Sequence, residues 1–493
     1  MTRRNRPGGH AVARWPAATL LAAVLAAGPA PASDANGRVD AARRPNFVVI
    51  FCDDLGYGDL GCYGSRWNQT PEIDRMASQG VRFTSFYAGA PVCTPSRAAL
   101  LLGSYARRVD LDLDNEGQPV FFPREPKGIA PSEVTLAEAL ADAGYQTACV
   151  GKWHLGDQPP HLPTRHGFGY WFGVPYSNDM EWAKRGDPPL PLMENDRVIE
   201  QHDAHREFDQ STLTQRYTEA ALDWLEANKS EPFFLYLAHT MPHNPVAARE
   251  AFYERTTNPE AGFGAAVAEI DWSTGRLLEW LRDNDLASDT LVIFTSDNGG
   301  QPRWGADNGP LRGHKAQAYE GGVRVPCVAW RPGTVPAGRE TDAMASVLDL
   351  APTLCNLAGA TLPAGPTRDG HDIGDLLEDP GKSLPPRPFF VWYDGRLEAV
   401  RYGDWKLMLP GEFRRREQEL PELYNLVTDL GEQHDLAAQQ PQIVAELTAL
   451  ADEHRRQLGE RLTYGPTVRR AARVDDPRPL LTDASANQPT TED

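Results

Sequence analysis

Four short β-rich runs, separated by helical patterns and each cut off by polar, glycine or histidine residues, constrain this chain most. They are Asn46 to Phe51, Gln146 to Val150, Phe233 to Leu237 and Leu291 to Thr295. Near-continuous apolar runs of this length suit strands buried on both faces. Between them, Leu136 to Ala141, Leu213 to Ala227 and Phe263 to Leu281 repeat apolar residues at spacings of three and four, as helices covering a sheet do. Alternating strand and helix predicts an α/β chain on a large, mainly parallel sheet. Ligands of such sheets bind beyond the carboxyl ends of the strands, so the residues just after each run are the site candidates.

Beyond Leu362 the chain becomes rich in Pro, Gly and Asp, then gives Phe389 to Tyr393, Glu398 to Arg401 and Trp405 to Met408 with polar breaks between, followed by a helical pattern over Pro441 to Leu458. These predict a small antiparallel sheet. The expected division is a main domain over residues 45–361, a C-terminal antiparallel subdomain over 385–462, and a poorly ordered polar tail over 463–493. At the other end, Arg3, Arg4, Arg6 and Arg14 precede the apolar stretch Ala17 to Ala27, and Ala30-Pro31-Ala32 offers a small-residue cleavage site. Residues 1–32 therefore read as an export signal, which predicts a periplasmic or secreted product. That stretch is too short to span a membrane, and no later segment approaches the ~20 apolar residues a span needs.

A formal charge of −19, from 49 Lys and Arg against 68 Asp and Glu, argues against nucleic acid as a partner. An anionic substrate would need a local basic pocket. The six cysteines, Cys52, Cys62, Cys93, Cys149, Cys327 and Cys355, show no metal-finger spacing. Cys52, Cys149, Cys327 and Cys355 sit in apolar runs and read as small buried side chains, with a Cys52 to Cys62 bridge open in an oxidising compartment.

The polar segments at the strand ends carry the chemistry. Asp53-Asp54-Leu55-Gly56 follows the first run, and Asp297-Asn298-Gly299-Gly300 follows the fourth. Paired carboxylates suit a hard cation with oxygen ligands, although an acidic glycine turn alone would be an ordinary loop. Gly151-Lys152-Trp153-His154 follows the second run; in a regular strand its Lys and His share one face and reach one pocket. Ala238-His239-Thr240-Met241-Pro242-His243-Asn244-Pro245 follows the third. Elsewhere stand Cys93-Thr94-Pro95-Ser96-Arg97 before a helical pattern, Gly173 to Asp179 with Ser177, and Leu311-Arg312-Gly313-His314-Lys315 before Tyr319 to Pro326.

In this order the segments resemble the formylglycine-dependent (type I) sulfatase family, arylsulfatase-like, of the alkaline-phosphatase superfamily. The resemblance runs from about Pro45 to Leu436 and includes Ala399 to Lys406 and Glu422 to Leu426; it departs where the family has Leu-Thr-Gly-Arg and this chain has Leu101-Leu102-Gly103-Ser104. It implies a large mixed sheet flanked by helices with a smaller C-terminal antiparallel sheet domain. It also implies hydrolysis of sulfate esters, here of a sulfated sugar or glycan. Cys93 would be oxidised to Cα-formylglycine by a dedicated maturation enzyme, and the aldehyde hydrate would supply the nucleophile. Ca2+ would be held by Asp53, Asp54, Asp297 and Asn298 together with the modified Cys93. The resemblance assigns Arg97, Lys152 and Lys315 to the sulfate oxygens and formylglycine, Ser177 to a sulfate contact, and Asp297 to deprotonating the attacking hydroxyl. His243, aided by Lys315, would protonate the departing alcohol; His154 would take a proton from the second hydroxyl; His239 would be structural or orient a neighbouring site residue, and Arg312 and Arg324 would anchor the loop or a carboxylate. Two other readings stand beside it: a phosphate or phosphonate ester hydrolase on the same fold, and an unmodified homologue that binds sulfated glycans without cleaving them.

Overall fold

The computed structural model describes residues 44–181, 186–201, 209–363, 367–413 and 416–481. The export signal expected over residues 1–32 lies outside them. Each of the four runs is a strand, extended by one or two residues: Asn46–Cys52, Gln146–Gly151, Phe233–Ala238 and Thr290–Ser296. They belong to a ten-stranded sheet whose order, edge to edge, starts with Arg339–Thr341, Val81–Phe83, Cys327–Trp330, Thr290–Ser296 and Asn46–Cys52. It continues through Phe233–Ala238, Gln146–Gly151, Tyr170–Gly173, Pro191–Glu194 and Arg197–Gln201. The five strands from Thr290–Ser296 to Tyr170–Gly173 are mutually parallel, and antiparallel pairs flank them on both sides.

Side chains alternate across the Asn46 strand, as the two-residue period requires. Val48, Ile50 and Cys52 join one apolar cluster with Leu213, Leu225, Val267 and Leu278, from the helices Leu213–Asn228 and Ala261–Asp283. Phe47, Val49 and Phe51 join the opposite cluster with Leu100, Leu140 and Leu354, from Cys93–Leu102, Leu136–Asp142 and Leu350–Ala358. Each such side chain contributes ~1.5–3 kcal/mol on burial, so the strand register is strongly specified.

The C-terminal strands form the expected antiparallel sheet, ordered Pro388–Tyr393, Arg396–Tyr402, Trp405–Met408, Glu422–Asn425, and a helix spans Pro441–Leu458. Its Phe389, Val391, Leu397 and Leu407 enter the same apolar cluster as Phe47 and Leu100. A buried charged seam joins the sheets: Lys406 Nζ lies 2.9 Å from both Glu320 Oε1 and Glu432 Oε1, and Arg324 lies 3.3 Å from Glu320.

Two expectations are corrected. Residues 463–481 are not a loose tail: Ala472–Arg473 pairs with Lys127–Gly128, Arg469 with Glu133, and Arg470 with Asp110. The arginines that suggest disorder by composition find buried acids far away in sequence. Cys52 and Cys62 are not bridged, and all six cysteines are free thiols; Cys52 points into the core as part of a buried strand.

Candidate active site

The parallel strands end at one level. Cys52 pairs with Ser296, Phe51 with Ala238, and Gly151 with Ala238, so Asp53, Asp297 and Lys152 emerge side by side. Carboxylate oxygens of Asp53, Asp54 and Asp297 lie within 4.8 Å of one another, and a second group of the same tightness joins Asp53, Cys93 and His243.

Cys93 reaches this cluster from the first turn of the Cys93–Leu102 helix, after an extended Val92. The unpaired N–H groups and positive end of the helix dipole surround it, and Pro95 fits because a first-turn N–H needs no intrahelical acceptor. Arg97, four residues on, lies on the same face of the helix. The intervening hydroxyls hold neighbouring loops: Ser96 Oγ accepts from Gly89 N at 3.1 Å, and Thr94 Oγ1 from Phe121 N at 3.1 Å. Burial pushes the Cys93 thiol up to about 12, more than Lys152 and Lys315 lower it. An unmodified thiol there is protonated and a poor nucleophile.

Arg97 is fully buried. Its Nη2 donates to Asp297 Oδ2 at 2.8 Å and lies 3.3 Å from Asp53 Oδ2, while Nη1 donates to the Lys152 carbonyl at 3.0 Å. Lys152 Nζ donates to Asp53 and, at 2.9 Å, to Ser177 Oγ. Lys315 Nζ donates to Asp54 Oδ2 at 2.9 Å, His243 Nε2 lies 3.7 Å from that oxygen, and Asn298 Nδ2 donates to Asp54 Oδ1 at 2.7 Å. Burial opposes ionisation of Asp53, but Lys152, His243 and Arg97 outweigh it and hold the carboxyl well below its usual range. Asp297 moves the other way, raised by burial and by the charge on Asp53.

Two oxygens of the cluster, Asp53 Oδ1 and Asn298 Oδ1, are buried and have no hydrogen-bond partner. Such atoms are costly unless a cation or water meets them. Asp53, Asp54, Asp297 and Asn298 present only oxygen donors, a set that fits a hard cation such as Ca2+.

Lys152 and His154 reach the site, but not by strand alternation. The strand ends at Gly151, whose φ is 113° and whose missing Cβ would stand 1.9 Å from the Ala238 carbonyl oxygen. Lys152 keeps one strand-like bond, to Ala238 O at 2.7 Å, and His154 then turns into the left-handed region at φ 61°. Asp54, at φ 66°, shares this uncommon conformation. Two such residues in one cluster show the backbone bent to aim side chains. His154 Nε2 donates to the Phe121 carbonyl at 2.8 Å, which leaves Nδ1 as a buried acceptor without a partner. Burial, reinforced by Lys152, pushes its pKa well below the usual imidazole value.

Above the cluster opens a cavity of about 300 Å³ whose polar lining includes Asp54, Cys93, His154, Ser177, His243 and Lys315. His239 does not line it: that ring is buried 3.4 Å from Ser273 Oγ and beside Tyr217. Arg312 and Arg324 also stand back, the first on Tyr424 and the Glu432 carbonyl, the second on Glu320. The walls also include Asp179, the last residue of the Gly173 to Asp179 segment, and Val120, Phe122, Trp304 and Tyr393, which were not site candidates from the sequence. Val120, Phe122 and Trp304 lie in segments without strand or helix periodicity, and Tyr393 ends the first strand of the C-terminal sheet.

The fold and site define a hydrolase of the alkaline-phosphatase type, with a metal-suited carboxylate cluster at the carboxyl ends of a parallel sheet. The Sulfatase family model matches residues 45–360, and the chain belongs to that family. It is 39% identical to N-acetylgalactosamine-6-sulfatase of Sus scrofa over 382 residues, 75% of this chain and 72% of that protein. Arylsulfatase A of Homo sapiens is 37% identical over 485 residues, 88% of this chain and 92% of that one. Among solved structures, Ps i-CgsB in complex with k-i-k-neocarrahexaose superposes with a TM-score of 0.73 at 28% identity, over 86% of this chain and 95% of that one. The chain is thus a sulfuric ester hydrolase.

Proposed function

We propose that the protein hydrolyses the sulfate ester of a sugar, with Cys93 matured to formylglycine as nucleophile and Ca2+ held by Asp53, Asp54, Asp297 and Asn298. The observation that carries this reading is the convergence of Cys93, His243 and the carboxylates of Asp53, Asp54 and Asp297 in one cluster, of which Cys93, His243 and Asp54 line the cavity above it. A sugar is favoured by the printed activity of the N-acetylgalactosamine-6-sulfatase relatives and by the oligosaccharide named in the Ps i-CgsB complex. It is favoured too by Trp304, 36% exposed at the cavity wall, where an indole face can pack on a pyranose.

The cation would neutralise carboxylate charge and polarise a sulfate oxygen. Arg97, Lys152 and Lys315 offset the three acids, so the cluster gains net positive charge only when the cation is present, and an anionic ester is then drawn in. Ser177, already bonded to Lys152, reaches the cavity as a further donor to sulfate. Asp297, fixed by Arg97, takes the proton of the attacking hydroxyl. His243 Nε2 faces the cavity beside Lys315 and protonates the departing alcohol, because a sugar alkoxide leaves badly. His154 accepts a proton at Nδ1, the nitrogen left open by its bond to Phe121, when the second hydroxyl of the hydrate collapses and releases sulfate.

The maturation enzyme that oxidises Cys93 and export to the periplasm or medium belong to the same proposal, the latter motivated by the Arg-rich and apolar residues 1–32. So does the division into a catalytic domain, 45–361, and a C-terminal subdomain, 385–462. The test is a panel of sulfated mono- and oligosaccharides, with an aryl sulfate as control and the matching phosphate esters alongside. Preference for phosphate esters, or binding without turnover by protein of formylglycine mass, would overturn it.

A further inference from the structure

The active cavity does not end at its own walls. Gln118 and Phe122 line it and also line a second furrow of about 810 Å³, more than twice its volume. One side of this furrow is the segment Asp114 to Pro126; the other is Arg473 to Pro477, the stretch whose composition suggests a loose tail.

Both sides are fixed in place. The Asp114 carboxylate accepts from Glu116 N at 2.8 Å and Gln118 N at 2.7 Å, and Arg124, at a left-handed φ of 65°, donates its N–H to Asp157 at 2.6 Å. On the other side Val474 N donates to the Pro126 carbonyl at 2.9 Å, and Arg478 N to Gln158 Oε1 at 2.8 Å. A furrow preformed in this way binds without first ordering a loop.

Its chemistry is that of a hydroxyl-rich ligand. Exposed amide, carboxylate and guanidinium groups of Asn115, Glu116, Arg124, Arg473 and Asp475 offer planar donors and acceptors, while Phe122 gives an apolar surface for C–H faces. Among its less buried groups the carboxylates of Glu116, Asp187 and Asp475 outnumber the guanidiniums of Arg124 and Arg473, while the buried acids Asp114 and Glu125 are tied to backbone N–H groups. Further sulfates placed there would meet like charge.

We propose that this furrow holds the sugar units adjoining the one whose sulfate is removed, and that it selects a chain bearing hydroxyls rather than further sulfates at those units. The inference rests on the sulfatase reading of the adjacent cavity and makes the substrate an oligosaccharide rather than a free sulfated monosaccharide. The test uses the matured full chain and four probes: an aryl sulfate, the monosulfated sugar that the panel selects, a tetrasaccharide sulfated only at that sugar, and the same tetrasaccharide sulfated throughout. The expected result is kcat/KM about tenfold or more higher for the monosulfated tetrasaccharide than for the monosaccharide, the yield of one or two added hydrogen-bonding contacts. Full sulfation should remove that gain, and the double variant Glu116→Arg/Asp475→Arg should restore part of it while the aryl sulfate rate serves as reference. Equal kcat/KM for the two monosulfated sugars, or a preference of the wild-type chain for the fully sulfated tetrasaccharide, overturns the furrow's role. Loss of turnover on every probe, the aryl sulfate included, overturns the sulfatase reading itself and the furrow with it.

Discussion

Arg97 Nη2 and Asp297 Oδ2 meet at 2.8 Å with both side chains fully buried, and the same guanidinium also bonds the Lys152 carbonyl. One residue thus ties the ends of the Thr290 and Gln146 strands to the Cys93 helix. Breaking a buried pair leaves an uncompensated charge, which costs on the order of 3–5 kcal/mol. Arg97→Leu should therefore lower the thermal midpoint strongly, whereas Arg97→Lys should keep more stability because a cation remains. An Arg97→Leu chain as stable as wild type would show that the pair does not hold the site together.

Replacing Cys93 removes the proposed nucleophile without touching the core. Cys93→Ala should fold with a wild-type thermal midpoint and lose hydrolysis by several orders of magnitude. Intact mass provides the companion measurement: in the active wild-type chain the thiol sulfur should be exchanged for oxygen with loss of hydrogen, whereas ordinary thiol oxidation retains sulfur. Substantial turnover by purified Cys93→Ala contradicts the assignment.

Asp53 Oδ1 and Asn298 Oδ1 make metal dependence measurable in two ways. A calcium chelator should abolish activity, and calcium should restore both activity and several degrees of thermal midpoint, since a ligand bound only by the folded state stabilises it. Asp54→Ala and Asp297→Ala should lose activity and respond little to calcium. Full activity of metal-free protein would refute the cation.

His243 and His239 are separable by leaving group. If His243 is the acid, His243→Ala should slow a sugar sulfate strongly and an aryl sulfate less, with the defect shrinking as the leaving group becomes more acidic. His239→Ala should act on both esters alike, through the packing around Ser273 and Tyr217. The reverse pattern would exchange the two roles.

His454 gives the fold an acid-sensitive point away from the site. Its ring stacks on Phe390 at 3.8 Å, and burial lowers its pKa to about 4. An imidazole whose folded pKa lies below its unfolded value of about 6.5 leaves stability intact above that value; between about 6.5 and 4 the unfolded chain binds more protons, so stability falls as pH falls. The loss across that window is on the order of 3 kcal/mol. His454→Phe should keep the stack and flatten this part of the pH dependence, measured as thermal midpoint against pH. An unchanged slope would place the sensitivity in other groups.

The strands and the residues after them were legible because each run is apolar throughout and each stop is a polar or glycine-rich turn. Asp53, Asp297, Lys152 and His243 stand just after those runs, whereas Cys93 and Lys315 follow no such run and were singled out only by their resemblance to family motifs. His154 does line the cavity, but not by the geometry assumed: the spacing took for granted a strand that Gly151 ends. Phe122 and Trp304 went unseen because they lie outside the periodic runs, and Tyr393, although its strand was expected, because nothing in that run showed that its end would reach the cavity. The segment around Arg473 was misread because its order depends on Glu133, Asp110 and Lys127, all more than three hundred residues away.

Cys93 is 2% exposed in the finished fold, in the first turn of a helix packed against the sheet. The strand that carries Asp297 and the loop that carries Lys315 lie some two hundred residues further along the chain. During N-to-C synthesis Cys93 is therefore made well before the walls that enclose it, and until those later segments dock it stands open. If Cys93 is oxidised by a maturation enzyme, as proposed, that enzyme meets it most readily in that interval, and how quickly the central sheet closes would then set a time limit on how much of the protein becomes active.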